Sequence, residues 1–282
     1  MLEAYFDASK RDGGILCVAG FAYGIERGKK ATRALKSLWG KKRFHMTDLH
    51  TNPERYYGFT KAQAHEIFER TTQIPITYAS FAVAVSCRLD EIQRLAPTEA
   101  DPGSRNILAG FRTGYAMCCH AAMAALGDLA AKGTSIAYFF EHGDEHQGES
   151  QQFMRLMRSH PIAAKSLYKM SSHTVLIKAD CRLFELSDMM AWEWAKHVER
   201  TGASIGIRPS LRAILGDGLA KDGELNVRSP NKRGWHLTGA PLERYYARAM
   251  EHELFSDSPS AAGLEKLQAT LEKFHARQSN AA

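Results

Sequence analysis

The sequence predicts an α/β protein, a mixed five-stranded sheet with helices packed on it and further helices after about residue 205. Three observations predict this class. The continuous apolar run 15–23 follows a strand-like opening at 2–6 across the pair Gly13-Gly14, which marks a hairpin. Two further runs, 76–87 and 134–140, are rich in β-branched and aromatic residues and read as strands. Between and after them, apolar residues recur at three- and four-residue spacing, the period of amphipathic helices.

Taken in order, Leu2-Glu3-Ala4-Tyr5-Phe6 is the first strand and 15–23 the second. Residues 26–39 form a Lys-rich helix docked through Leu35, Leu38 and Trp39. Thr60 caps a helix that runs to about Arg70, and 76–87 is a third strand buried on at least one face. After a break at Pro97 and Pro102, Ser104 caps a long helix in which Leu108, Phe111, Tyr115, Cys118, Ala122 and Leu129 share a face, ending at Gly133. This is the expected central packing helix. The fourth strand, 134–140, runs into Glu141-His142-Gly143-Asp144. A helix over 147–159, a fifth strand at 174–177 and the helix carrying Asp188 follow. Helices from Leu211, from Pro241 and over about 261–276 complete the chain. The expected organisation is one α/β domain over 1–205 with a helical extension over 206–282 packed on it.

With 282 residues, 44% hydrophobic and 24% charged, the composition is that of a folded globular protein rather than a disordered or fibrous one. The net charge of +6 favours an anionic partner. Cys17, Cys87, Cys118, Cys119 and Cys181 are odd in number and form no Cys-x-x-Cys pair, so they read as reduced, buried thiols rather than a disulfide framework. No secretory signal pattern opens the sequence, and the apolar stretch 115–131 is interrupted by His120 and Asp128. A cytoplasmic protein without a membrane span is expected.

Asp7 stands at the end of the first strand, Glu141 at the end of the fourth, and Asp188 at the border of an apolar helical stripe formed by Leu183, Leu186, Met190, Trp194 and Val198. Open α/β sheets place ligands outside the carboxyl ends of their parallel strands. Three carboxylates in one spot repel and desolvate one another unless a hard divalent cation neutralises them, which implies Mg²⁺ or Mn²⁺. Such ions activate water against a phosphodiester without a covalent nucleophile. His45 and Asp48, three residues apart, face the same way on one helical turn or tight loop. His45 could donate a proton to a leaving group or orient a carboxylate, and Asp48 could be a fourth ligand. A structural His-Asp hydrogen bond is the alternative.

These motifs resemble the domain-of-unknown-function 3800 family, which belongs to the ribonuclease H-like group of folds. The resemblance rests on Tyr5-Phe6-Asp7-Ala8-Ser9 with Asp12-Gly13, on Phe44-His45-Met46-Thr47-Asp48-Leu49, on Phe140-Glu141-His142-Gly143-Asp144, and on Asp180-Cys181 with Leu186-Ser187-Asp188-Met189-Met190-Ala191-Trp192. It spans about residues 2–200. Ala8 and Lys10 stand where the family has Glu and Gly, and Arg43-Phe44 where it tends to have Glu. Glu185-Leu186-Ser187-Asp188 replaces a Gln-x-Ala-Asp motif. The resemblance implies a ribonuclease H-like sheet bearing Asp7, Glu141 and Asp188, and a group of folds that contains metal-dependent nucleases.

Two basic stretches could receive a polyanion. They are Lys41-Lys42-Arg43, and Arg228 to His236 with Lys232, Arg233 and the stacking face of Trp235. No phosphate-binding glycine loop and no nucleophile elbow is present. The expectation is a metal-dependent nuclease acting on RNA or DNA through Asp7, Glu141 and Asp188, assisted by His45 and Asp48. Two alternatives stay open. One is a catalytically inactive module of the same fold that binds nucleic acid or protein. The other is a small-molecule hydrolase using a transition metal at Glu141-His142-Gly143-Asp144-Glu145-His146.

Overall fold

A computed structural model of the chain describes residues 1–95, 114–143, 167–200, 208–215 and 226–238, with short pieces at 148, 151, 154, 164–165 and 242–243. The predicted α/β class is present. The sheet contains β1 (Leu2–Lys10), β2 (Ile15–Gly24), β3 (Phe81–Arg88), β4 (Ile136–Glu141), β5 (Met170–Leu176), β6 (Asn226–Ser229) and β7 (Lys232–Leu237). Among the described residues it has seven strands in the order β5-β4-β1-β2-β3-β7-β6. Strands β1, β2 and β3 form an antiparallel meander, while β4 runs parallel to β1 and β5 parallel to β4. The five expected strands are thus found and two more are added. These come from the segment expected to be a helical extension, in its basic stretch 228–236, which reads as a loop: β7 pairs in parallel with β3, and β6 folds back on β7 through Pro230-Asn231.

The helices are α1 (Ile25–Trp39), α2 (Met46–Thr51), α3 (Pro53–Tyr57), α4 (Lys61–Tyr78), α5 (Leu89–Leu95), α6 (Tyr115–Leu129), α7 (Leu183–Arg200) and α8 (Pro209–Leu215). Helix α4 starts at the predicted cap with a complete capping box between Thr60 and Gln63, but continues through Pro75 to Tyr78. Ile76, Thr77 and Tyr78, read as the start of the third strand, are therefore helical, and β3 begins only at Phe81. The predicted starts at Ser104 and Pro241, most of the 147–159 helix and the 261–276 helix lie outside the described residues.

Strand alternation sorts the core into two layers. Ala4 and Phe6 of β1, with Leu16, Val18 and Ala22 of β2, pack on the α6 side. Tyr5 of β1, with Ile15, Cys17, Ala19, Phe21 and Tyr23 of β2, packs on the α7 side with α1 and α4. Being covered on both faces explains why β2 is apolar without alternation. Close approach matters at two glycines. A Cβ on Gly20 would lie 1.9 Å from the Tyr5 carbonyl oxygen, and one on Gly234 would lie 2.8 Å from the Trp194 ring, so Gly234 lets α7 rest over β7. None of the five cysteines forms a disulfide, and no described helix is long and apolar enough to cross a membrane.

His120, 4% exposed on α6 against the Tyr168 ring, is held to a pKa of about 3 by burial. His236 on β7 is lowered to about 4, chiefly by burial with Arg88 adding to it and Glu91 opposing. Both folded values lie below the unfolded value near 6.5, so the unfolded chain binds more protons as the pH drops. The stability these neutral rings confer is complete above about pH 6.5. Each ring should cost about 1.4 kcal/mol per pH unit as the pH falls from there toward its folded pKa. Urea midpoints at successive pH values should decline over that window, and His120→Leu should make the decline shallower.

Candidate functional site

The parallel pairing of β1 with β4 sets Phe6 opposite Phe140, so the next residues, Asp7 and Glu141, stand at equivalent positions on adjacent strands. Alternation places both on the α7 side of the sheet, as for Tyr5 and Phe139. Helix α7 is pinned there because Ser187 Oγ donates to the Tyr5 carbonyl at 2.8 Å, and the Phe184 ring meets the Tyr5 ring edge-on at 5.7 Å. Asp188, one residue on, is thereby aimed over the ends of β1 and β4. It is 5% exposed, deeper than its position at the edge of the apolar stripe implied, since α7 is enclosed on nearly every side.

The three acids converge on a residue that the sequence reading passed over. Lys178 Nζ lies 3.3 Å from Asp7 Oδ2, 3.2 Å from Glu141 Oε2 and 3.3 Å from Asp188 Oδ2. Strand β5 pairs Leu176 with Glu141, and the 3₁₀ turn Lys178–Asp180 then swings the lysine across the strand ends. Backbone donors hold two of these carboxylates in place. Asp7 Oδ1 accepts the Ala8 N–H at 2.7 Å, and Asp188 Oδ2 also accepts the Met46 N–H at 2.8 Å. His45, half exposed at the start of α2, brings Nε2 to 3.8 Å from Asp188 Oδ1. Asp7, His45, Glu141, Lys178 and Asp188 line an open pocket of about 290 Å³ together with Ala8, Lys10 and His142.

Electrostatics show how crowded the cluster is. Burial pushes Asp7 well above the usual carboxylate range; Lys178 opposes this, while Asp188 and Glu141 add to it. Burial alone would lower the Lys178 ammonium, but Asp7, Asp188 and Glu141 together outweigh it and raise its pKa above the ordinary lysine value. With all three carboxylates ionised, the one ammonium leaves two negative charges uncompensated, the excess that the raised pKa of Asp7 resists. One divalent cation would cancel them, and an all-carboxylate donor set suits a hard ion. The residues present therefore fit Mg²⁺ or Mn²⁺ in chemistry. Their spacing is set by the ammonium: among the described residues no trio of Asp, Glu, His and Cys stands in ligand geometry for a metal ion. Contacts of 3.2–3.3 Å to nitrogen are more than 1 Å longer than a Mg–O bond of about 2.1 Å.

Other predicted residues are placed elsewhere. Asp48 lies in the first turn of α2 and does not line the pocket. Asp144, Glu145 and His146 fall outside the described residues. Lys42 Nζ donates to the Tyr57 carbonyl at 2.7 Å and sits 5.0 Å from the centre of the Phe59 ring. Arg43 joins a buried ion network in which Glu185, fully buried, receives Arg43 Nη1 at 2.9 Å and a two-pronged contact from Arg182 at 2.9 and 3.1 Å. Arg182 also donates to the Gly40 and Lys42 carbonyls, and Arg43 to the Ala179 carbonyl in the turn that bears Lys178. Both basic residues thus hold backbone in place. Lys232 and Arg233 begin β7, level with Tyr5 and Phe6 of β1 but three strands across the sheet from Asp7. Trp235 packs against the α6 layer, and Arg228 belongs to β6.

Replacing Glu185 by Gln should leave Arg182 buried without its charge partner and destabilise the protein by about 3–5 kcal/mol. Chemical denaturation reads the loss. Restoration by a second change, Arg182→Met, would show that the penalty comes from the stranded guanidinium. No protein-family model matches this chain, and no curated protein matches it.

Proposed function

We propose that the protein is a metal-dependent phosphodiesterase acting on nucleic acid, with Asp7, Glu141 and Asp188 holding Mg²⁺ or Mn²⁺. In this reading it is a cytoplasmic relative of the domain-of-unknown-function 3800 family with a ribonuclease H-like sheet. The observation that carries the proposal is the gathering of three acids, distant in sequence, around one cationic centre at the carboxyl ends of β1 and β4. Such a cluster is costly to fold, and its residual negative charge is what a divalent ion neutralises.

When bound, the ion supplies Lewis acidity and an activated water. The chain's own groups do the rest. Asp188 and Asp7 are oriented by the Met46 and Ala8 amides, so each points a fixed oxygen at the centre. His45, exposed at the pocket mouth and close to Asp188, is placed to give a proton to the departing oxygen. Lys178 keeps the acids together before the ion arrives. Incubating the protein with end-labelled RNA and DNA in Mn²⁺, and in parallel with EDTA, tests the reading. Cleavage that EDTA abolishes is expected, and intact substrate under both conditions would overturn it.

A second reading is favoured by the same lysine. If Lys178 serves as the permanent counter-charge, the site is an inactive remnant in a binding module. Divalent ions would then leave the stability of the protein unchanged.

A further inference from the structure

Beyond the acidic pocket, four chain segments bring basic side chains to one place on α7. Trp192 lies one helical turn after Asp188, about 6 Å along the axis. Its ring has Lys196 Nζ at 4.3 Å, the Arg208 guanidinium at 5.2 Å and that of Arg11 at 5.9 Å from the centroid. His50 of α2 meets the same ring at 4.6 Å, and its Nε2 accepts from Lys196 Nζ at 2.7 Å. Arg200, exposed on the next turn, extends the array. These residues come from the β1–β2 turn, α2, α7 and the approach to α8, so the cluster is a product of the tertiary fold rather than of one basic run.

Two acids answer this array. Glu199 pairs with Arg11 at 3.0 Å, and buried Glu193 with Arg208 at 3.2 Å. Arg11, Lys196, Arg200 and Arg208 set against Glu193 and Glu199 leave an excess of two positive charges. Lys196 registers the crowding: burial, then Arg208, Arg200 and Arg11, lower its pKa, with Glu193 opposing. His50 is kept neutral by burial and by the same cations, with a pKa of about 4. His50 and Arg208 also line a groove of about 1020 Å³ bordered by Lys61 and Arg70 of α4.

We infer that this array around Trp192 binds the phosphodiester backbone of the nucleic-acid strand whose reacting phosphate sits at Asp7, Glu141 and Asp188. The inference rests on the phosphodiesterase reading for its direction, and on the cation array for its chemistry. A divalent ion at most neutralises the acidic pocket, so net attraction of a polyanion needs further cations close by. The array supplies them from about 6 to 18 Å along α7, a stretch of about 12 Å that spans roughly two to four phosphates of a strand. Trp192 is only 4% exposed, so it serves as a platform for the cations rather than as a stacking face for bases. The contacts are therefore to phosphate, indifferent to sequence.

The test is fluorescence anisotropy of labelled single-stranded RNA and DNA of about 12 nucleotides, in EDTA so that nothing is hydrolysed, over a range of salt. Lys196→Gln combined with Arg200→Gln removes two cations without touching the acidic pocket. Binding should weaken about tenfold, and the slope of log affinity against log salt should fall by about 1.4–1.8, the counterions two charges release. Lys30→Gln with Lys36→Gln, an equal charge loss on exposed α1 positions, should change neither. Equal effects from both pairs, or competition by polyglutamate as strong as by oligonucleotide, would overturn the inference. Parallel response of RNA and DNA is expected, whereas loss confined to one would replace backbone binding with sugar recognition. Asp188→Asn should still bind in EDTA. Cleavage lost in that variant with the salt slope unmoved in the α7 pair would sink the array alone; a shifted slope with no cleavage by the parent would sink the phosphodiesterase reading alone.

Discussion

Asp188→Asn should fold as the parent does and lose phosphodiester cleavage by about a thousandfold or more, equivalent to about 4 kcal/mol of transition-state stabilisation. The substitution keeps the shape of the side chain, and the amide oxygen can still accept the Met46 N–H. What disappears is one of the negative charges that holds the ion. Asp7→Asn should behave alike, its oxygen still accepting from Ala8. Single-turnover rates at rising Mn²⁺ separate weakened ion binding, which high metal restores, from damaged chemistry, which it does not. Undiminished cleavage by both variants would remove the acidic cluster from the mechanism.

Lys178→Met should destabilise the protein strongly. Taking away the ammonium leaves Asp7, Glu141 and Asp188 facing one another with nothing between them, two of them nearly enclosed. Breaking a buried charge arrangement from one side destabilises by about 3–5 kcal/mol. In EDTA the melting temperature should therefore drop, by about 6–20 °C for a chain of this size. Mg²⁺ or Mn²⁺ should recover most of that loss, because an ion that binds only the folded cluster stabilises in proportion to the logarithm of its concentration over its Kd. The parent should gain less from the same ions. Equal responses would show that the ion does not enter the place that Lys178 commands, and no response in either protein would favour the inactive-module reading.

Strand ends and helix faces made much of this site legible in the sequence. Asp7 and Glu141 follow apolar strands directly, and the register of β1 on β4 turns that local fact into adjacency. Asp188 was marked by the apolar stripe around it. Lys178 carried no such signal, since it lies in a short polar turn after β5 and gains meaning only once β5 is known to pair with β4. Arg43 read as part of a basic surface because its partner, Glu185, looks like an ordinary acid on an amphipathic helix. Only the enclosure of α7 shows that this acid is buried. The β6–β7 hairpin read as a loop because Lys, Arg and Pro dominate it, yet its proline sits in the two-residue turn and leaves both strands free to pair. Pairing partners distant in sequence decide such cases, and local composition does not reveal them.

The place of β7 beside β3 has a consequence for biosynthesis. Ala82 pairs with Lys232, 150 positions later, so the outer edge of β3 stays open while that stretch leaves the ribosome. At typical elongation speeds this takes about 8 to 30 s. A nascent chain exposing the apolar sequence Phe81-Ala82-Val83-Ala84-Val85 for so long is a natural client for holding chaperones. Truncated translation products that stop before Asn226 are expected to be recovered as insoluble material rather than as a smaller folded unit.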